Sequence, residues 1–150
     1  MPRYMVIIKA NEDSEAGKLP SMELLNEMGK FNEELVSKGI MIDGAGLRSS
    51  SEGKRVLFDD DKRSVIDGPF AETKELLAGY WIWELPSLEE AVEWAKRIPN
   101  TDGGHSEVEI RRVGELSDFD ENMTPQMQAQ ERALGERLAE QQQRSTAFGQ

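Results

Sequence analysis

The chain has 150 residues, a formal net charge of −11, no cysteine, one histidine and 37% hydrophobic residues. That length fits one domain, or a domain with a tail, and lets a single core bury roughly 68–70% of the unfolded surface. The absence of cysteine excludes a disulfide framework, a thiolate zinc site, an iron–sulfur cluster and a cysteine nucleophile.

The first apolar run, Tyr4 to Ile8, is far shorter than the ~20 residues of a membrane span and shorter than a secretory core, so the sequence reads as a cytoplasmic protein with no membrane partner. Its β-branched residues predict a strand buried on both faces, opening a sheet. The acidic stretch from Asn11 to Lys18 is long for a strand-to-helix connection and reads first as a solvated surface loop, with a lid as the second reading. From Ser21, whose hydroxyl predicts an N-cap, Leu24, Met28, Phe31 and Leu35 fall on one helical stripe that Gly39 ends. Ile40-Met41-Ile42 predicts a short strand ending in Asp43-Gly44-Ala45-Gly46. The two glycines there do not make a phosphate loop, since no helix and no Lys-Ser/Thr comes after them.

Arg55–Phe58 and Ser64–Ile66, separated by Asp59-Asp60-Asp61-Lys62, predict a hairpin. Tyr80 to Leu85 is the strongest strand signal, and Pro86 stops it. Ser87 and Glu90 form the sequence pattern of a capping box, followed by the stripe Leu88, Ala91, Ala95 and Ile98, which Pro99 closes. A last strand spans Glu107 to Val113. Without the hairpin the order is βαββαβ, the ferredoxin-like pattern of the α+β class, with crossovers expected to be right-handed.

Composition changes after residue 117: all seven glutamines lie between Gln126 and Gln150. Residues 1–117 therefore read as the domain and 118–150 as a polar tail. Thr124-Pro125 predicts a helix start, and the thin stripe Met127, Leu134 and Leu138 predicts a helix resting on a neighbour up to about Gln141, with disorder beyond. Both parts are acidic, with 15 basic against 23 acidic residues in 1–117 and 3 against 6 in 118–150. The basic pairs Lys54/Arg55, Lys62/Arg63, Lys96/Arg97 and Arg111/Arg112 each sit among carboxylates, so no direct nucleic-acid partner is expected.

The densest polar motif is Asp67-Gly68-Pro69-Phe70-Ala71-Glu72-Thr73-Lys74-Glu75. Its structural reading is a turn in which Asp67 accepts backbone N–H groups, Gly68 and Pro69 set the chain direction and Phe70 anchors in the core. Its functional reading makes Asp67 an acid or base, with Glu72 and Lys74 holding a polar substrate. His105 comes after Gly103-Gly104 in a loop and lacks the companions that a metal site needs, so neither a metal nor a cofactor is expected.

Here the sequence resembles the YCII-related proteins, and within them the branch carrying an Asp-Gly-Pro-Phe motif. The opening strand, Asn32-Glu33-Glu34-Leu35, Gly44-Ala45-Gly46-Leu47 and Glu89-Glu90-Ala91 also look typical, and Asp118-Phe119 and Thr124-Pro125 look like the tail of longer members. The resemblance spans nearly the whole chain. It implies a ferredoxin-like protomer of the dimeric α/β barrel type, two sheets facing one another in a homodimer. Members often accompany sigma-factor genes. The broader family includes proteins with a proposed His/Asp pair whose histidine lies near the start of the first helix. Residues 18–28 of this chain contain no histidine, so that pair is not carried over.

Two readings of function are open. One is a cofactor-free small-molecule-binding protein or enzyme with a cleft lined by Asp67, Glu72, Lys74 and Arg48, and with Phe70, His105 and Arg111 as further ligand contacts. The other is a regulatory protein-interaction module, linked to sigma-factor-dependent transcription, whose acidic surface and glutamine-rich tail meet a protein.

Overall fold

The computed structural model describes residues 1–148. The chain separates into two compact units, Met1–Val113 and Gly114–Gln150. In the first, strand β1 (Arg3–Lys9) is followed by a short helix α1 (Glu12–Glu15), helix α2 (Met22–Ser37) and strand β2 (Met41–Gly46). An insertion carries the hairpin strands β3 (Lys54–Asp59) and β4 (Lys62–Asp67). Strand β5 (Leu77–Glu84), helix α3 (Leu88–Ala95) and strand β6 (Val108–Arg112) complete the unit.

The four-stranded sheet has the order β2-β5-β1-β6 with every neighbouring pair antiparallel. This is the ferredoxin-like βαββαβ topology, and β3-β4 forms a separate two-stranded sheet. Register explains the core. Tyr4 pairs with Trp83, and Val6 with Trp81 and Ile110, so these side chains share one face. Phe31 and Leu35 of α2 and Ala91 of α3 close over that face. Phe31 meets Trp81 and Trp83 edge-on, with ring centroids 6.1 and 6.2 Å apart, a geometry that suits the ring quadrupoles. The opposite face carries Met5, Ile7, Tyr80 and Ile82.

Both helix starts reflect the chemistry of their caps. The Ser21 hydroxyl accepts the Leu24 N–H at 3.0 Å, and the Ser87 hydroxyl accepts the Glu90 N–H at 3.2 Å. Gly39, with φ of 71°, ends α2 in the left-handed conformation that glycine adopts without a Cβ penalty.

Several expectations need correction. β2 runs through Asp43-Gly44-Ala45-Gly46 instead of ending there, because Gly44 lies against Trp81: a Cβ on it would stand 3.0 Å from Trp81 Cδ1 and from Met41 Cε. The acidic stretch after β1 is not all loop. Asn11 accepts the Ser14 N–H at 2.8 Å, and Ser14 Oγ accepts the Asn11 N–H at 3.0 Å, a reciprocal cap that starts α1. The hairpin turn is tighter than four residues, because Asp60 takes a φ of 50° and lets the strands pair up to Asp59 and Lys62. β1 is fully covered only at Tyr4, Val6 and Ile7, and Leu88 of the α3 stripe is exposed.

In the second unit a 3-10 segment, Leu116–Asn122, precedes helix α4 (Pro125–Phe148). The Thr124 hydroxyl accepts the Met127 N–H at 3.1 Å, with Pro125 in the first helical position. The helix does not stop near Gln141 but continues to Phe148, while residues 149–150 lie outside the described residues. Alanine, glutamine, glutamate and arginine all have high helix propensity, which carries it past the last apolar residue of the stripe.

Candidate functional site: a cleft at one end of the sheet

The strand order sets where loops meet. β1 and β2 end, and β5 and β6 begin, at the same end of the sheet. The 10–21 connection, the 47–76 insertion and the 96–107 connection therefore gather there. Between the first and third lies a cleft of about 600 Å³. Its apolar wall is Trp81, Met28, Leu24, Ile98 and Val108, and its polar lining includes Lys9, Asn11, Asp13, Lys18, Asp102 and His105. An adjoining pocket of about 300 Å³ shares Lys9, Asn11, His105 and Ser106, and Lys74 lines it from the insertion. An apolar wall with a few converging polar groups is the usual make-up of a small-molecule site.

Most of these polar groups are already matched. Lys9 stands 3.7 Å from Glu109 and Lys18 stands 3.8 Å from Asp13. Asp102 accepts hydrogen bonds from the Ser21 hydroxyl and, at 3.1 Å, from the Ser21 N–H. The hydroxyl bond first, then the N–H bond, hold its carboxyl below the ordinary value of 3.8. Trp81 is fixed by its Nε1–H donating to Asn32 Oδ1 at 2.9 Å. Lys74 and His105 are exposed and have no ion pair among the described residues.

A second groove, of about 560 Å³, lies at the base of the hairpin and is lined by Glu15, Arg48, Ser50, Arg55 and Phe70. Arg48 is bound to Glu52 at 2.7 Å, and that hydrogen bond, then the charge of Glu52, raise the guanidinium further above its already high ordinary value. Phe70 is half-buried, with the Arg55 guanidinium 3.9 Å from its ring centroid.

The residues of the Asp-Gly-Pro-Phe segment thus part company. Asp67 is exposed and pairs with Lys54 across the hairpin instead of capping backbone N–H groups. It lines neither pocket. Phe70 sits over the groove and not in the core cluster. Glu72 is exposed where the 3-10 turn Thr73–Glu75 begins. Arg111 stands on β6 opposite Met5, on the sheet face away from the helices. A single cleft lined by Asp67, Glu72, Lys74 and Arg48 is not formed. Of the seven expected residues, Lys74 and His105 meet in the pocket adjoining the cleft, and Arg48 and Phe70 share the groove at the base of the hairpin.

Gly68 explains the motif's shape. A Cβ on it would lie 1.7 Å from Ser50 O, so only glycine lets the chain pass. Its N–H donates to Gly53 O at 2.9 Å, and the Phe70 N–H donates to Ser50 Oγ at 3.2 Å. Ser50 in turn donates its N–H to Glu15 at 3.1 Å and its hydroxyl to the same carboxylate, while Ser49 Oγ donates to Glu15 O at 2.7 Å.

Among the described residues no group of three or more His, Asp or Glu is placed to hold a metal ion, and no helix is long and apolar enough to cross a membrane. Sequence reasoning missed Lys9, Lys18 and Asp102 as cleft residues. Their signal lay in the topology, which puts the ends of β1 and α3 side by side.

Known proteins include relatives of this chain. An uncharacterised protein of Rhizobium meliloti (strain 1021) is 43% identical over 88 residues, covering 59% of this chain and 71% of its own length. A solved structure, 5-chloro-2-hydroxyhydroquinone dehydrochlorinase from Burkholderia phenoliruptrix AC1100 in complex with 2,5-dihydroxybenzoquinone, gives a TM-score of 0.45 at 14% identity, covering 77% of this chain and 97% of that one. The YCII-related domain model matches residues 2–114, and the chain belongs to that family.

Proposed function

We propose that the protein binds a small molecule in the cleft at the end of the sheet, with the ligand's apolar part against Trp81 and its polar, hydrogen-bond-accepting end toward His105 and Lys74. The observation that carries this reading is that the one histidine lines both the cleft with its apolar wall and the adjoining pocket, where it meets Lys74, a lysine without an ion pair among the described residues. Histidine is the side chain suited to proton transfer close to neutral pH. Turnover, where it occurs, is therefore cofactor-free proton transfer with His105 as the acid or base and Lys74 holding the substrate.

Trp81 supplies the assay. A panel of small aromatic and aliphatic carboxylates and phenols is screened for a rise in melting temperature and a change in tryptophan emission. His105→Ala and Lys74→Ala, both at exposed positions, keep the fold and weaken any ligand so found by at least tenfold. A ligand held equally well by both variants would place binding elsewhere. The protein's other partner in this reading is a second copy of itself, for which the sheet face bearing the half-buried Met5, Tyr80 and Ile82 offers an apolar surface. Sedimentation at micromolar concentration that finds only single chains removes the homodimer.

A further inference from the structure

The β3-β4 hairpin is a two-stranded sheet with every residue exposed. Two-stranded hairpins are marginal in water unless a face is covered. Register sorts its side chains into two faces. One carries Val56 opposite Val65, flanked by Lys54 opposite Asp67 toward the base and Phe58 opposite Arg63 toward the tip. On this face Val56, Phe58 and Val65 are 51%, 67% and 60% exposed, a contiguous apolar strip in an otherwise acidic molecule. Lys54 and Asp67 form an ion pair, and the Arg63 guanidinium lies 4.5 Å from the Phe58 ring centroid.

We propose that this face packs against the same face of a second copy of the chain. Two arguments select a second copy over another occupant. The first is net charge. Residues 54–67 hold four basic and four acidic side chains, so the whole −11 lies elsewhere in the chain. Copies of an acidic chain repel, and a neutral segment is where they approach at least cost.

The second is self-complementarity, which a two-fold contact requires of its surface. A two-fold axis lying across the strands at the Val56–Val65 pair reverses strand direction and sets β3 over β3 and β4 over β4. Arg63 and Asp67 are equidistant from Val65, so Arg63 of each copy then faces Asp67 of the other. Phe58 and Lys54 are equidistant from Val56, so the Phe58 ring faces the other copy's Lys54 ammonium, an arrangement favoured by the ring quadrupole. Opposite charges meet at both ends and valines meet in the middle.

The test uses the absence of cysteine. Val65→Cys introduces a single thiol beside the axis. Facing sheets stand about 10 Å apart, too far for a disulfide, so a short bis-maleimide is the linker. At micromolar protein, Val65→Cys is expected to give linked pairs at least tenfold faster than Ser64→Cys, which lies on the other face. Equal rates would overturn the proposal, as they would if the strip meets a different macromolecule or only solvent.

Charge exchange is the second measurement. Arg63→Glu and Asp67→Arg, each added to Val65→Cys, set like charges against each other and are expected to slow linking at least tenfold. An equimolar mixture of the two restores it, since the glutamate introduced in one copy then meets the arginine introduced in the other. A mixture that stays as slow as either variant alone would also refute the contact. All these positions are exposed on the hairpin, so tryptophan emission confirms that the core is unchanged. The readout reports this contact alone and is independent of pairing through the four-stranded sheet.

Discussion

Replacing Gly68 by alanine puts the packing of the Asp-Gly-Pro-Phe segment to a quantitative test. The added Cβ would stand 1.7 Å from Ser50 O and 2.7 Å from Ser50 C, against roughly 3.3 Å for an ordinary close C···O approach. Both obstacles are backbone and cannot rotate aside. The chain can keep the contact by shifting the Ser50 turn, an overpacking cost of about 1–3 kcal/mol or more. It can instead lift residues 68–70 away. That route forfeits the Gly68 N–H bond to Gly53 O, the Phe70 N–H bond to Ser50 Oγ and the Arg55–Phe70 stack. At about 1 kcal/mol for each hydrogen bond and roughly 0.5–1 kcal/mol for the stack, lifting costs about 2.5–3 kcal/mol. The folded protein takes the cheaper route, so Gly68→Ala is expected to lower stability by about 1–3 kcal/mol in urea unfolding monitored by tryptophan fluorescence. Gly29→Ala is the control: it lies inside α2 with nothing within 4 Å of the added Cβ, and is expected to gain about 0.5–1 kcal/mol. A Gly68→Ala protein within about 0.5 kcal/mol of wild type, on the roughly 1 kcal/mol scale of one such bond, would refute the close-approach argument.

Glu15→Gln removes the charge from the acceptor that holds the Ser50 N–H and hydroxyl, and is expected to cost about 1–2 kcal/mol and to speed amide exchange at Ser50; unchanged exchange would show that the link is not formed in solution. Asp102 is charged in the folded state down to a lower pH than an ordinary carboxyl, so its stabilising bonds to Ser21 are fully present above about 3.8 and are lost as pH falls through the lower folded value. Ser21→Ala should bring the Asp102 titration back up toward 3.8, read by carboxyl NMR; no movement would sink that assignment. Asp67→Asn breaks only an exposed pair with Lys54 and is expected to cost at most about 1 kcal/mol, with cleft ligands held as before; lost ligand binding would return the carboxylate to the site.

The parts of the fold that sequence makes legible are those specified by near neighbours. Leu24, Met28, Phe31 and Leu35 share a helical stripe, and Ser21 and Ser87 cap the helices that start beside them, because those contacts span three or four residues. β2 is legible only up to Ile42. Glycines weaken a strand locally, and the reason for Gly44 is Trp81, 37 positions away and brought beside it by the sheet. The cleft is hidden for the same reason: Lys9, Lys74 and His105 are remote in sequence and meet only because β1 lies between β5 and β6. The Asp-Gly-Pro-Phe segment is visible as a motif, yet its composition alone does not separate the glycine that fits against Ser50 from the carboxylate that faces outward.

That separation changes what the motif can do for the cleft. Asn11, Asp13 and Ser14 line the cleft from one side of α1, and Glu15 faces the groove on the other. A four-residue helix has too few internal hydrogen bonds to hold its own position. It is positioned from outside, by the Glu15 bonds to Ser50 and the Ser49 bond to Glu15 O. Ser50 is in turn the residue on which Gly68 and Phe70 rest. The chain of contacts from the motif to the cleft wall therefore runs through backbone and two serines, and no step needs the Asp67 carboxylate. In the proposed ligand-binding reading the motif acts by setting where α1 stands, while Lys74, a few residues further on, lines the pocket itself. Glu15→Gln cuts the chain at its midpoint without touching the cleft lining. It should weaken ligand binding together with the α1 wall, whereas Asp67→Asn, at the far end and pointing away, should not.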